Sequence, residues 1–208
     1  MKPKTFLLLE AVLIGAIALV LFACSTTQVV QPSASTISLT PSAWTFMNSP
    51  GMSKPSASPN SKWQFDFPQH NGVHYLMTAY HPAKLPTLVS ATFRVIGSGR
   101  LTFNPNGCPA PASVHLMLMN DMASEFGRWW SAQGAVLTAN GNLVTLTVPW
   151  TPDKWSSVFG KTGTQAPSDF NKFSPAFVGM TFGGGCYFGH GVWANGKVTF
   201  QLLDYKVQ

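Results

Sequence analysis

From Lys62 to the C-terminus, apolar side chains recur at every second position, and a two-residue period confines a chain to strands that bury one face. In Lys62-Trp63-Gln64-Phe65-Asp66-Phe67, Trp63, Phe65 and Phe67 share one side. In residues 88–96, Val89, Ala91, Phe93 and Val95 oppose Ser90, Thr92 and Arg94. In 143–148, Val144, Leu146 and Val148 oppose Thr145 and Thr147, and in 197–207 Val198, Phe200 and Leu202 turn inward. Further strands are expected at 73–80, 100–103, 114–119, 135–138 and 177–182. In the third of these, His115, Met117 and Met119 alternate with Val114, Leu116 and Leu118. A strand apolar on both faces belongs at the centre of a sheet or along a groove.

The breaks carry turn residues: Gly97-Ser98-Gly99, Asn104-Pro105-Asn106-Gly107, Asn140-Gly141 and Asn195-Gly196. Asn-Gly marks a hairpin because both residues tolerate positive φ. Short helices are expected only at 121–130 and 152–159, and neither sustains three turns of apolar spacing. Many short strands separated by such turns define an all-β sandwich or barrel.

Only 10% of the residues are charged, against roughly 25% in an average domain. The net charge of +6 is spread thinly, and its densest cluster is Lys2 and Lys4. Without a basic stripe, nucleic acid is not an expected partner.

Those lysines head a segment with signal-peptide anatomy: a positive start, then an apolar run from Ala11 to Ala23. Counted after Glu10, the run falls short of the roughly 20 residues of a spanning helix. Leu21-Phe22-Ala23-Cys24 resembles the lipobox of bacterial lipoproteins, although Phe22 stands where that pattern usually has a small residue. The resemblance implies cleavage before Cys24, acylation of Cys24 and tethering to a membrane through the N-terminal lipid. Ser25, in place of Asp after the cysteine, implies sorting to the outer membrane of the cell envelope. The chain then divides into a signal peptide (1–23), a Ser/Thr/Pro-rich tether (24–40) and a β domain (41–208). The polar, proline-punctuated composition continues to about Ser61, interrupted by Ala43-Trp44-Thr45-Phe46-Met47, which is expected to dock as a first, edge strand. Cys108 and Cys186 remain as an even pair in an oxidising compartment. Joined, they would close a loop of about 80 residues and contribute about 4–5 kcal/mol; otherwise they are two buried thiols.

Residues 62–208, with an aromatic opening strand, a strand ending in Gly97-Ser98-Gly99 and the closing strand Val198-Thr-Phe-Gln-Leu-Leu-Asp-Tyr-Lys-Val207, resemble jelly-roll domains of the galactose-binding-like and carbohydrate-binding-module type. Arg128-Trp129-Trp130-Ser131, Val148-Pro149-Trp150 and Phe188-Gly189-His190-Gly191-Val192 also resemble extracellular bacterial proteins without an assigned activity. The resemblance implies a sugar-binding role, no required cofactor, and a structural calcium held, if at all, near Asp66 or Asp204.

No catalytic constellation is evident. Asp121 and Glu125 are the one near pair of acids in the mature sequence, and they fall where a loop is expected. No G-x-S-x-G elbow occurs, and His70-x-x-x-His74 lacks a third ligand for zinc. The materials of sugar recognition are present: rings that stack and planar polar groups that grip hydroxyls. The expected ligand-binding set is Asn120, Arg128, Trp130, Tyr187 and His190. Trp129 and Trp130, adjacent on a strand, must face opposite ways. The sequence thus predicts a non-enzymatic, envelope-tethered β-sandwich lipoprotein that binds a glycan or another envelope component. The alternative is a structural or assembly lipoprotein with a protein partner.

Overall fold

The computed structural model describes residues 37–82, 84–103, 110–124, 126–184 and 189–208. Cys24, Cys108, Cys186, Tyr187, Glu125, the turn expected at 104–107 and the expected signal peptide lie outside these. No Sγ–Sγ pair occurs among the described residues, which contain no cysteine. Among the described residues, no helix is long and apolar enough to cross a membrane.

Thirteen strands are described. They are β1 (Trp44–Met47), β2 (Ser56–Ser58), β3 (Ser61–Asp66), β4 (Tyr75–Ala79), β5 (Leu88–Gly97), β6 (Arg100–Phe103) and β7 (Ala112–Met119), then β8 (Arg128–Val136), β9 (Leu143–Pro149), β10 (Trp155–Ser157), β11 (Phe177–Gly184), β12 (Val192–Asn195) and β13 (Val198–Val207). Two antiparallel sheets form a sandwich, one in the order β1-β4-β11-β7-β8-β10 and the other β2-β3-β13-β5-β9. The pair β12-β6 forms a separate two-stranded ribbon.

The alternation of the sequence is what the sandwich buries. In β5, Val89, Ala91, Phe93 and Val95 are buried while their neighbours are half-buried. β13 keeps its inward face through an irregularity between Leu202 and Asp204. The extra residue shifts the parity, so Tyr205 and Val207 join Val198, Phe200 and Leu202 in the core. The Tyr205 hydroxyl then crosses the sandwich and donates to Gly179 O on β11 at 2.9 Å. Burial pushes its phenol well above the usual range. The outer face of the five-stranded sheet is polar: Arg94 Nε donates to Gln201 Oε1 and Gln201 Nε2 to Gln64 Oε1, each at 2.7 Å, across three strands.

β1 is an edge strand, as its two aromatics suggested, with Trp44 fully buried and its Nε1 donating to Ser38 O. Ile37 also lies in the core, ahead of residue 41. β7 is central and buried on both faces, and Trp129 and Trp130 do face opposite ways, Trp129 into the core.

Three local expectations are corrected. The 121–130 segment is a turn leading into β8, and 152–159 contains β10; the described α-helix is α1 (Pro167–Asn171), which buries Phe170. The second correction concerns Asn140-Gly141 and Asn195-Gly196, which link strands of different sheets instead of closing hairpins. Their left-handed glycines turn the chain from one sheet into the next. The strand expected at 135–138 starts earlier, at Arg128, and carries a bulge that obscured it. As β7 advances from His115 to Met117, the partner on β8 moves from Gly134 to Trp130. The Ser131 hydroxyl repairs the broken ladder, accepting from Leu116 N at 3.0 Å and donating to Gln133 O at 2.6 Å.

Candidate functional site

The entry to β4 is fastened on both sides. Val73 and Val192 exchange backbone hydrogen bonds of 2.7 and 2.9 Å, joining this entry to β12. On the other side, His74 N donates to Ser49 Oγ at 2.9 Å, and Ser49 Oγ donates to Met47 O at the end of β1. With both valines in the core, the alternation turns His74 and Trp193 outward, and both are half-buried. The result is an open cleft of about 450 Å³ lined by Asn48, Pro50, Asn71, His74, His190 and Trp193.

The cleft is held by unusual backbone. Asn48 (φ 54°) and Asn71 (φ 61°) are the two non-glycine residues with positive φ among the described residues, and both line it. Such conformations persist where the surrounding structure imposes them, and they gather at functional sites. Gly72 (φ +57°) and Gly191 (φ +89°) pack so closely that a Cβ on Gly72 would lie 2.8 Å from Gly191 Cα, and one on Gly191 2.7 Å from His74 Nε2. His74 is fixed in turn: Nδ1 donates to Gly189 O at 2.6 Å, and Nε2 faces Asn71 O at 3.1 Å.

Chemically, the cleft offers one indole, two amides that each donate and accept, and two imidazoles. No carboxylate lines it among the described residues. This inventory suits a ligand rich in hydroxyls.

The expected ligand-binding residues divide between two places. His190 is in the cleft, exposed. Arg128 and Trp130 lie on the outer face of the six-stranded sheet, in register with Met119 and Met117. There they adjoin a buried cluster of Tyr75, Met77, Met117 and Met119. Asn120 sits in the β7–β8 turn, where its amide covers Gly127 and its N–H donates to Gly127 O at 3.0 Å. Tyr187 lies outside the described residues. Tyr75 connects the two places: Arg128 Cζ is 5.3 Å from its ring centroid, and the His74 ring centroid is 6.4 Å away.

Other candidates are occupied elsewhere. Asp66 accepts from Thr199 Oγ1 at 2.5 Å, and Asp204 pairs with Lys206 at 2.6 Å. Asp121 accepts from Ala123 N within its turn. No group of three or more His, Cys, Asp or Glu side chains gathers among the described residues, so His70 and His74 gain no third ligand there. His115 is buried beneath Gly134, with Nδ1 donating to Ser131 O at 2.8 Å. Burial pushes its imidazole down, partly offset by that bond.

Sequence reasoning missed Asn48 and Asn71 as site residues. An asparagine just after a strand or just before a glycine was the available signal, since asparagine tolerates the left-handed region. It also missed Phe126 and Phe159, an exposed ring pair 5.6 Å apart beside the start of β8. Compared with protein-family models, with curated proteins and with solved structures, the chain matches none.

Proposed function

We propose that this protein is an exported, lipid-anchored β-sandwich module of the cell envelope, that it binds a glycan without transforming it, and that its ligand site is the Asn48–Asn71–His74–His190–Trp193 cleft. The observation that carries this reading is the convergence of both described left-handed asparagines on one outward-facing indole. A sugar presents an apolar face to an indole and hydroxyls to amides and imidazoles. A jelly roll of the galactose-binding-like type is supported by a chain that repeatedly changes sheet, with its last strand, β13, inserted between β3 and β5.

The test is a glycan array, followed by titration of any sugar that binds. Trp193→Ala is expected to weaken that binding about tenfold or more, as loss of a central aromatic contact does. Silence against every envelope polysaccharide, or full binding by Trp193→Ala, would sink the assignment of this cleft.

Signal anatomy and the lipobox-like Leu21–Cys24 sequence support the anchor. The thiol pair gains support from the strands on either side: β7 begins at Ala112, shortly after Cys108, β11 ends at Gly184, shortly before Cys186, and Ala112 and Gly184 are register partners. Intact mass of the protein purified from membranes is expected to show acylated Cys24 at the N-terminus and no thiol that alkylates without reductant. An unmodified Ser25 start or an intact Met1 refutes the anchor, and two alkylated thiols refute the bridge.

A second reading, a protein-binding assembly lipoprotein, is favoured by Phe126 and Phe159, which are 71% and 61% exposed. Rings left in solvent side by side are the kind of anchor a protein interface buries. Crosslinking in membranes that yields a defined adduct in the wild type but not in Phe126→Ser would favour it.

A further inference from the structure

Arg128 is the one cation among the described residues that is buried, at 8% exposure. It extends from β8 beside the layer formed by Met77, Met117 and Met119, and its Cζ lies 5.3 Å from the centroid of the Tyr75 ring. Its Nε is shut off from solvent without a hydrogen-bond partner among the described residues. Neither an ion pair nor a side-chain hydrogen bond engages the guanidinium among the described residues; the described ion pairs are Lys154–Asp153 and Lys206–Asp204. A buried guanidinium nitrogen with no partner among the described residues is costly, and a cation–π contact offsets only part of that cost. The residual field therefore favours an anion.

The place of this charge gives it a use. The Tyr75 ring beneath it lies one contact away from the cleft: a Cβ on Gly189 would overlap the Tyr75 hydroxyl, and Gly189 O holds His74, which lines the cleft. No carboxylate in the described lining would repel an acidic ligand. We propose that Arg128 receives an anionic group, a carboxylate or phosphate, carried by the saccharide that occupies the cleft. The guanidinium fork matches either group with two parallel N–H···O bonds. The module is then a reader of acidic glycans, with hydroxyl recognition at Trp193 and charge recognition at Arg128. This rests on the cleft being a glycan site.

The test uses the full chain and matched probes: oligogalacturonate, its methyl ester, and a glycerol-phosphate oligomer, set beside the neutral glycans of the array. The wild type is expected to bind at least one acidic probe about tenfold more tightly than its neutral counterpart, and the phosphate and carboxylate arms tell which source fits. In Arg128→Gln the acidic-to-neutral ratio is expected to fall to about two or less, with Arg128→Lys between them. Equal binding of acid and ester by the wild type overturns the inference while leaving the glycan reading intact. That comparison requires no variant to fold. A preference that survives in Arg128→Gln, with the variant's thermal unfolding intact, also overturns it. Failure to bind any glycan, acidic or neutral, removes both.

Discussion

Phe200→Ala is expected to cost about 3–5 kcal/mol of stability and to lower Tm by roughly 6–20 °C for a domain of this size. Phe200 is fully buried near the start of β13, which lies between β3 and β5. Its ring stacks on Phe93 (5.0 Å, 20°) and on Phe65 (5.3 Å, 16°), and meets Phe182 edge-on at 5.7 Å. Trp63 and Phe67 complete the shell at 6.1 and 6.4 Å. Removing the ring forfeits the transfer free energy of a large side chain and leaves a cavity. Neighbours anchored on paired strands cannot collapse into it, so the upper part of the range applies. Phe200→Leu, which keeps much of the volume, should lose less. Thermal unfolding followed by circular dichroism reads both; a drop under about 3 °C for Phe200→Ala would show that the stack is not the centre of the core.

Gly179→Ala, a change of one methyl group, should cost about 3 kcal/mol or more, at or beyond the upper end of ordinary overpacking. Gly179 is paired with Met77 on β4 and Met117 on β7. A Cβ there would overlap Leu76 O and lie 2.8 Å from both Met77 Cα and Met77 Sδ. The thioether could swing aside, but a ladder carbonyl cannot, so β11 and β4 would have to separate. The same shift would strain the bond from the Tyr205 hydroxyl to Gly179 O, which joins one sheet to the other. Chemical denaturation of Gly179→Ala beside Tyr205→Phe separates the two contributions. If Gly179→Ala proves no worse than Tyr205→Phe, the close approach is not what demands glycine.

The strands most legible in the sequence were those whose alternation runs unbroken. β3, β5, β9 and β11 fall within a residue or two of the expected spans because one face of each meets the core. β8 was hidden because its alternation is interrupted by the bulge opposite His115 and Met117, and because 121–130 lacks any strand period before it. The Asn-Gly turns were correctly placed as breaks. Their sheet-to-sheet role could not be read, because a two-residue signal fixes local φ and not the partner of the following strand. Of the expected ligand-binding set, His190 alone is found in the cleft among the described residues. The cleft is assembled from the end of β1, the entry to β4 and β12, more than 140 residues apart along the chain. No local period reports such a meeting. Arg128 and Trp130 were singled out for their chemistry; register, which a sequence does not display, decided that they share the methionine-rich face.

The four outer margins of the sandwich differ in length, and this bears on how the protein behaves when crowded. β1, β2 and β10 have four, three and three residues, too few to template the strand of another chain. β9 has seven, with Leu143 at its open end 64% exposed, and it terminates at Pro149, which has no N–H to offer an incoming strand. Unpaired strand margins seed fibril growth unless they are short or interrupted. A polymerising variant of this protein should therefore grow along β9, and a charge at Leu143 is the substitution that would guard it.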